Sequence, residues 1–274
     1  MNVRFKPLNR CRPYKSYAYD PARRLVFCGI PKNGSTTWFE WMYQLQRDEP
    51  IGSDFYYDYI NDHLRLRNYS ARVARQALFG SDHLRFVVVR NPWNRLLSAF
   101  TNKVVTSDNL DVNRDCVHML VPRSQQGALT TDTERGEFLG RYTFRQYIEA
   151  VVAWPKRRQN EHWRPQHLYL GKARFDLVGR FEEIPSFCAQ LARRLEIPIE
   201  LRRLNTTTYT PGSGESTPQA CLADVPIREL RAHGGFSRNA FFDAQLIELV
   251  AGYYHEDVTR FGYRYEGIPA VHRG

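Results

Sequence analysis

Three times along this chain a short apolar run breaks at a turn and passes into a segment with helical spacing. "RLVFCGI" leads into "STTWFEWMYQLQRD", "LRFVVVR" into "NPWNRLLSAFTNKVV", and "FDLVGRF" into "PSFCAQLARRLEI". A continuous apolar run of this length suits a strand buried on both faces, as in parallel sheets covered by helices. Parallel neighbours need a crossover, and the helical segments supply it. The expected class is therefore α/β, a parallel sheet flanked by helices, with ligands received at the carboxyl ends of the strands. The 274 residues suffice for one sizeable domain over 1–274, opening with an irregular arm over 1–22. Residues 101–141, rich in Ser, Thr, Gln, Asp and Gly, read as an excursion over the active-site face, and "NTTTYTPGSGESTPQA" reads as a second loop. The last helical spacing falls on Leu246, Leu249, Val250 and Tyr253.

Two of the turns carry anion-binding chemistry. "GIPKNGSTTW" (Gly29–Trp38) nearly spells the nucleotide loop G-x-x-x-x-G-K-[ST], but Ser35 stands where the lysine belongs, and the lysine lies upstream at Lys32. A helix N-terminus after such a turn points amide N–H groups and the positive end of its dipole at a ligand. Gly34 permits close backbone approach, Ser35, Thr36 and Thr37 add hydroxyls, and Lys32, beside Asn33, adds a full charge. Ser35 or Thr36 is also able to cap the first turn. In the second turn Arg90 ends its strand, Asn91 reads as an N-cap, Pro92 takes the first helical position, and Arg95 and Ser98 follow. An arginine fork with a hydroxyl suits a terminal phosphate monoester. Adjacent parallel strands would bring the Lys32 loop and Arg90 to one edge. Each motif alone also reads as an ordinary strand–helix turn or a strand-end ion pair.

The formal net charge of +10, from 39 basic against 29 acidic residues, favours anionic ligands without naming one. Basic and aromatic residues are not interleaved as in nucleic-acid binders, so no nucleic-acid partner is expected. The five cysteines form no C-x-x-C pair and no zinc spacing, so no metal site is expected, and the pattern favours a reducing compartment. Nothing approaches the roughly 20 apolar residues of a membrane span.

Taken together, "PKNGSTTW" resembles the 5′-phosphosulfate loop of sulfotransferases, and "RNPWNRLLSAF" resembles their 3′-phosphate motif R-x-P-x-x-R-x-x-S-x-F. "EHWRPQ" (Glu161–Gln166), "FDLVGRFEEI", "LRRLNTTT" and "YYHEDVTRFGY" are similar to segments of the Golgi carbohydrate sulfotransferases of the chondroitin/dermatan 4-O and HNK-1 type. The resemblance runs from about Leu25 to Tyr263. It implies a P-loop-like sulfotransferase fold and the donor 3′-phosphoadenosine 5′-phosphosulfate, which leaves as 3′-phosphoadenosine 5′-phosphate, with no metal. By position, Lys32, Asn33, Gly34, Ser35, Thr36 and Thr37 would hold the 5′-phosphosulfate, and Arg90 and Ser98 the 3′-phosphate. The acceptor would be a hydroxyl-bearing carbohydrate or small molecule.

Transfer of this kind is dominated by positioning and electrostatics, and Lys32 is the candidate cation for the leaving oxygen. The acceptor hydroxyl needs a base, normally His or a carboxylate. His162 gains from the resemblance of its segment, and His63 from lying between the two phosphate motifs; Glu161 is the carboxylate alternative. Taken singly, His63, His83, His162 and His167 each also read as structural or surface histidines. Arg164 and Glu161 are candidates for acceptor contact, whereas Lys156, Arg157 and Arg158 read as a solvated face.

The Golgi enzymes carry a cysteine pair just after the His-Trp segment, where this chain has "HLYLGKARFD", and they begin with a membrane anchor, where this chain starts polar. These departures make a cytoplasmic location the expectation, with the Golgi lumen as the alternative for a shortened chain. Two rivals remain open at this level. A P-loop kinase needs a lysine after Gly34 and an acidic strand end for Mg²⁺. A non-catalytic anion- or glycan-binding module needs only the cradle. Oligomeric state is not encoded in any of these features.

Overall fold

The structure, a computed structural model, describes residues 16–47, 63–105, 116, 118–121, 127, 129–201, 220–231 and 238–267. The strands are β1 (Tyr17–Asp20), β2 (Leu25–Cys28), β3 (Leu84–Val89) and β4 (Leu177–Arg180). The first α-helices are α1 (Ser35–Arg47), α2 (Ala71–Phe79), α3 (Pro92–Phe100), α4 (Asp132–Leu139) and α5 (Phe144–Ala153). They are followed by α6 (His167–Leu170), α7 (Ile184–Leu195), α8 (Ile227–Leu230), α9 (Ala244–Tyr253) and α10 (His255–Phe261). The sheet runs in the order β1-β2-β3-β4, with β2, β3 and β4 parallel and β1 antiparallel to β2. The α/β class and the three strand–helix units thus stand as expected.

The arm expected over 1–22 is corrected by β1, whose four residues are all buried. Asp20 ends it: its Oδ1 accepts from the Ala22 N–H and its Oδ2 from Arg23 Nη1, so the chain reverses into β2. Four residues before a proline are too few to show a period. Residues 106–115, 117, 122–126 and 128 of the excursion expected over 101–141 lie outside the described residues. Of the rest, Thr101–Val105 continues α3 in π-helical form, and Thr131 with Glu134 makes a capping box on α4. The "NTTTYTPGSGESTPQA" loop and the "LRRLNTTT" segment lie almost wholly outside the described residues.

By its contacts the chain divides into two compact units, Met1–Arg90 with Gln166–Asn205, and Asn91–Pro165 with Thr206–Gly274. In the first, alternate strand residues Phe27, Phe86 and Val88 meet the apolar face of α1, and Phe187 and Leu191 come from α7. Phe27 stacks on Phe86 at 4.8 Å, and Trp38 meets Phe86 edge-on at 5.3 Å. Fully burying such side chains stabilises by about 1.5–3 kcal/mol each, which anchors α1 directly behind the loop that precedes it. Gly179 of β4 makes room for α7, since a Cβ there would fall 2.4 Å from the Phe187 ring.

The second unit is helical among its described residues. Phe100 of α3 meets Phe144 at 4.9 Å and Tyr147 at 5.2 Å, and Phe144 meets Phe241 and Phe242 edge-on. The Arg145 guanidinium bonds both Asp224 and Asp243, and Asp243 in turn caps α9 through the Leu246 N–H.

Gly179→Ala is expected to lower stability by about 1–3 kcal/mol, because Phe187 must leave its rotamer to admit the methyl. Thermal or urea unfolding measures the loss; an unchanged midpoint would contradict the close packing of β4 and α7.

Candidate active site

Strand β2 ends at Cys28, and the next residues form a tight turn before α1. Lys32 (φ 71°) and Gly34 (φ 72°) both adopt left-handed backbone, which is uncommon for any residue but glycine. At Gly34 a side chain would be disfavoured twice over, since a Cβ would also crowd the Phe181 ring at 3.2 Å. The Gly34 carbonyl accepts the first helical bond from the Trp38 N–H at 3.2 Å, so Gly34 occupies the cap position. That corrects the expectation that Ser35 or Thr36 caps the helix; both lie inside its first turn. First-turn N–H groups point out beyond a helix end, and in α1 they belong to Ser35, Thr36 and Thr37, all half-buried. No acidic residue sits in that turn, so nothing there repels an anion from the positive end of the dipole.

Asn33 pins the turn to the sheet. Its side chain is 1% exposed, and Nδ2 donates to the Val88 carbonyl at 2.9 Å and to Gln166 Oε1 at 2.7 Å. Its Oδ1 is buried without a partner among the described residues, a cost of about 1–3 kcal/mol that the fixed orientation of the amide imposes. Arg90 lies one residue beyond β3. Its Nη1 donates to the Lys32 carbonyl at 2.7 Å, and its guanidinium lies 4.4 Å over the Phe181 ring. The structure therefore brings Lys32, Asn33, Gly34 and Arg90 together at the carboxyl ends of β2 and β3. An arginine stacked on an aromatic face and hydrogen-bonded to a carbonyl has few conformations left to lose when it receives a phosphate.

Behind this edge the Cys28 thiol is fully buried and points at the Tyr169 carbonyl. Desolvation holds its pKa far above the ordinary thiol value, so it is a packed side chain and not a nucleophile.

Ser98, Glu161, His162 and Arg164 belong to the second unit. Asn91 caps α3 through the Asn94 N–H, with Pro92 in the first turn, as the sequence indicated. Ser98 is half-buried on that helix. Arg95, three residues earlier, is 1% exposed and turns inward. Its Nη1 donates to the Arg164 carbonyl at 2.7 Å and its Nη2 to the Glu161 carbonyl at 3.2 Å. This motif arginine holds the turn that carries His162.

Within that turn Asn160 Oδ1 accepts from the His162 backbone N–H at 2.9 Å and lies 2.7 Å from Nδ1. The backbone N–H can only donate, which identifies the Asn160 atom as the carbonyl oxygen. The imidazole therefore donates from Nδ1–H, and Nε2 is the basic nitrogen of the ring. Glu161 is exposed. Arg164 Nη2 donates to the carbonyls of Arg157 and Gln159, so much of its guanidinium serves the local turn.

The other histidines stand elsewhere. His63 is exposed, near the β1 edge where Arg65 bridges Ala18. His83 precedes β3, at the end of the strand opposite Arg90, and lies between Tyr19 OH at 3.1 Å and Asp82 Oδ1 at 3.0 Å. His167 is buried at the start of α6. Sequence reasoning did not assign roles to Arg95, Asn160, Gln166 or Phe181. Arg95 lay inside a quoted motif, but no local pattern discloses a partner 66 residues away.

Residues 15–264 match the family described as "Sulfotransferase family", a span that takes in parts of both units. Carbohydrate sulfotransferase 11 of Mus musculus is 24% identical over 214 residues, 70% of this chain and 58% of the relative. Carbohydrate sulfotransferase 14 of Homo sapiens is 27% identical over 213 residues, 74% of this chain and 54% of the relative. Carbohydrate sulfotransferase 10 of Xenopus laevis is 33% identical over 87 residues, 30% of this chain and 24% of the relative. The chain thus spans little more than half the length of the first two. No solved structure matches it. The expected cytoplasmic location is overturned, because the relatives belong to the Golgi group whose enzymes work in the lumen. A missing cysteine pair reports on cross-linking, and a polar opening on where a given sequence starts; neither reports a compartment. Nor does the finding that no helix among the described residues is long and apolar enough to cross a membrane. By its match over residues 15–264, the chain belongs to the sulfotransferase family.

Proposed function

We propose that this protein moves a sulfuryl group from 3′-phosphoadenosine 5′-phosphosulfate to a hydroxyl of a carbohydrate acceptor, acting as one domain. The family match supports the reaction class, and the names of the relatives support a carbohydrate acceptor. The observation that carries the reading is the bond from Arg90 Nη1 to the Lys32 carbonyl, which joins two anion-binding motifs in one frame. The cradle fits a donor with phosphates at both ends of its ribose. The first-turn N–H groups of α1, in a turn with no acidic residue, are donors for one phosphate, and Arg90 supplies a second cation.

When bound, the donor supplies a sulfuryl group activated by a phosphate leaving group. Lys32 offsets the charge that grows on the leaving oxygen, an interaction stronger in the transition state than before it. Ser35, Thr36 and Thr37 orient the 5′ end, with Asn33 and Gly34 shaping the loop, and Arg90 and Ser98 receive the 3′-phosphate. His162 accepts the acceptor proton at Nε2, since Nδ1–H is committed to Asn160. Glu161 and Arg164 border that base and are candidates for acceptor contact. A kinase reading is not favoured: Ser35 replaces the loop lysine, and Arg90 follows the strand where a metal-binding carboxylate would be needed.

The direct test is calorimetric titration with 3′-phosphoadenosine 5′-phosphate, with and without Mg²⁺. Binding that needs the 3′-phosphate and no metal is expected; preference for ATP with Mg²⁺ would overturn the reading. Arg90→Ala is expected to weaken binding of nucleotides with and without the 3′-phosphate, because the Lys32 turn loses its tether, and to weaken the former more. Equal losses would remove Arg90 from the 3′-phosphate. His162→Ala is expected to lower kcat by about 10²–10⁴-fold with donor affinity unchanged. If that variant keeps its activity while His63→Ala loses it, the base is His63.

A further inference from the structure

Strands β2 and β3 pair only as far as Cys28 opposite Val87, after which β2 departs at Gly29 to form the Lys32 turn. The polar backbone of β3 beyond that point needs new partners, because buried N–H and C=O groups are almost always bonded. Two side-chain amides provide them. Asn33 Nδ2 serves the Val88 carbonyl at 2.9 Å. Gln166 serves both groups of the next outward residue on that side: Oε1 accepts from the Arg90 N–H at 2.9 Å, and Nε2 donates to the Arg90 carbonyl at 2.7 Å. Gln166 Oε1 also accepts from Asn33 Nδ2 at 2.7 Å, and the residue is 0% exposed.

These bonds close a circuit. Gln166 ties the Asn33 side chain to the Arg90 backbone, and the Arg90 guanidinium returns to the Lys32 carbonyl at 2.7 Å. Left-handed backbone is unfavourable at a non-glycine residue, and Lys32, at φ 71°, has its carbonyl tied to Arg90 and the following side chain tied to Val88 and Gln166. We propose that Gln166 is the positioning residue of the donor site. It sets the separation between the Lys32 turn and Arg90, and through it the preference for a nucleotide phosphorylated at both the 5′ and 3′ positions. The inference rests on the donor reading above. It deepens that reading by assigning nucleotide selectivity to a side chain outside both phosphate motifs.

The experiment compares binding of 3′-phosphoadenosine 5′-phosphate and adenosine 5′-phosphate to wild type and to Gln166→Met, which keeps length and volume but makes none of the three bonds. Expected is a roughly tenfold loss of affinity for the bisphosphate, about 1.4 kcal/mol, a smaller loss for the monophosphate, and an unchanged KM for the acceptor. A Gln166→Met protein that unfolds cooperatively yet keeps the wild-type preference overturns the proposal. If that variant does not fold, Asn33→Ala opens the same circuit from the loop side and must shrink the preference; a retained preference there overturns it equally. A wild type that binds neither nucleotide overturns the donor reading, and the inference falls with it. A discriminating wild type with an equally discriminating variant overturns the role of Gln166 alone.

Discussion

The parting of β2 from β3 after the Cys28–Val87 pair is the constraint from which the rest of the site follows. Here one strand turns away early, and the backbone it abandons has to be satisfied by other groups. Compact amides from Asn33 and Gln166 do this. The parted edge is thus a sheet irregularity bridged by three short polar contacts.

Apolar packing supports the same edge from behind. Phe27, Trp38, Phe86 and Phe187 interlock across the sheet, α1 and α7, so the N-terminus of α1 cannot drift relative to the strand ends. Gly179 lets α7 come close, and Phe181, next after β4, closes over Gly34 and under Arg90. One aromatic therefore shapes the turn and orients the cation. In the second unit the equivalent work is polar: Arg95 gathers two carbonyls of the His162 turn, and Asn160 decides which ring nitrogen is basic.

The elements legible in the sequence were those with a change of period. "LRFVVVR" into "NPWNRLLSAF" switches from continuous burial to helical spacing across an Asn-Pro cap, and strand, cap and helix all fall there. Strand β1 escaped because its burial comes from pairing with β2, a non-local cause. Helix α5 carried a readable Thr143/Gln146 capping box, and α2 a Ser70 cap, so these two were open to a closer reading. At the site, the loop and Arg90 were legible because spacing within a motif is a local property. The partners of Arg95 and Gln166 were not, since the bonds span 69 and 76 residues and depend on how the chain returns to the sheet. The cytoplasmic expectation failed for a different reason: it read a compartment from features that folding physics does not couple to one.

The two arginines of "RNPWNRLLSAF" illustrate what such a signature records. Arg90 is half-buried at the strand end, whereas Arg95 is 1% exposed, yet both guanidiniums donate to main-chain oxygens. Five positions apart in one motif, they differ in reach: Arg90 ties its own strand end to the turn after the neighbouring strand, and Arg95 fastens a segment 66 residues farther along the chain. One short signature thus encodes two separate fastenings of the backbone.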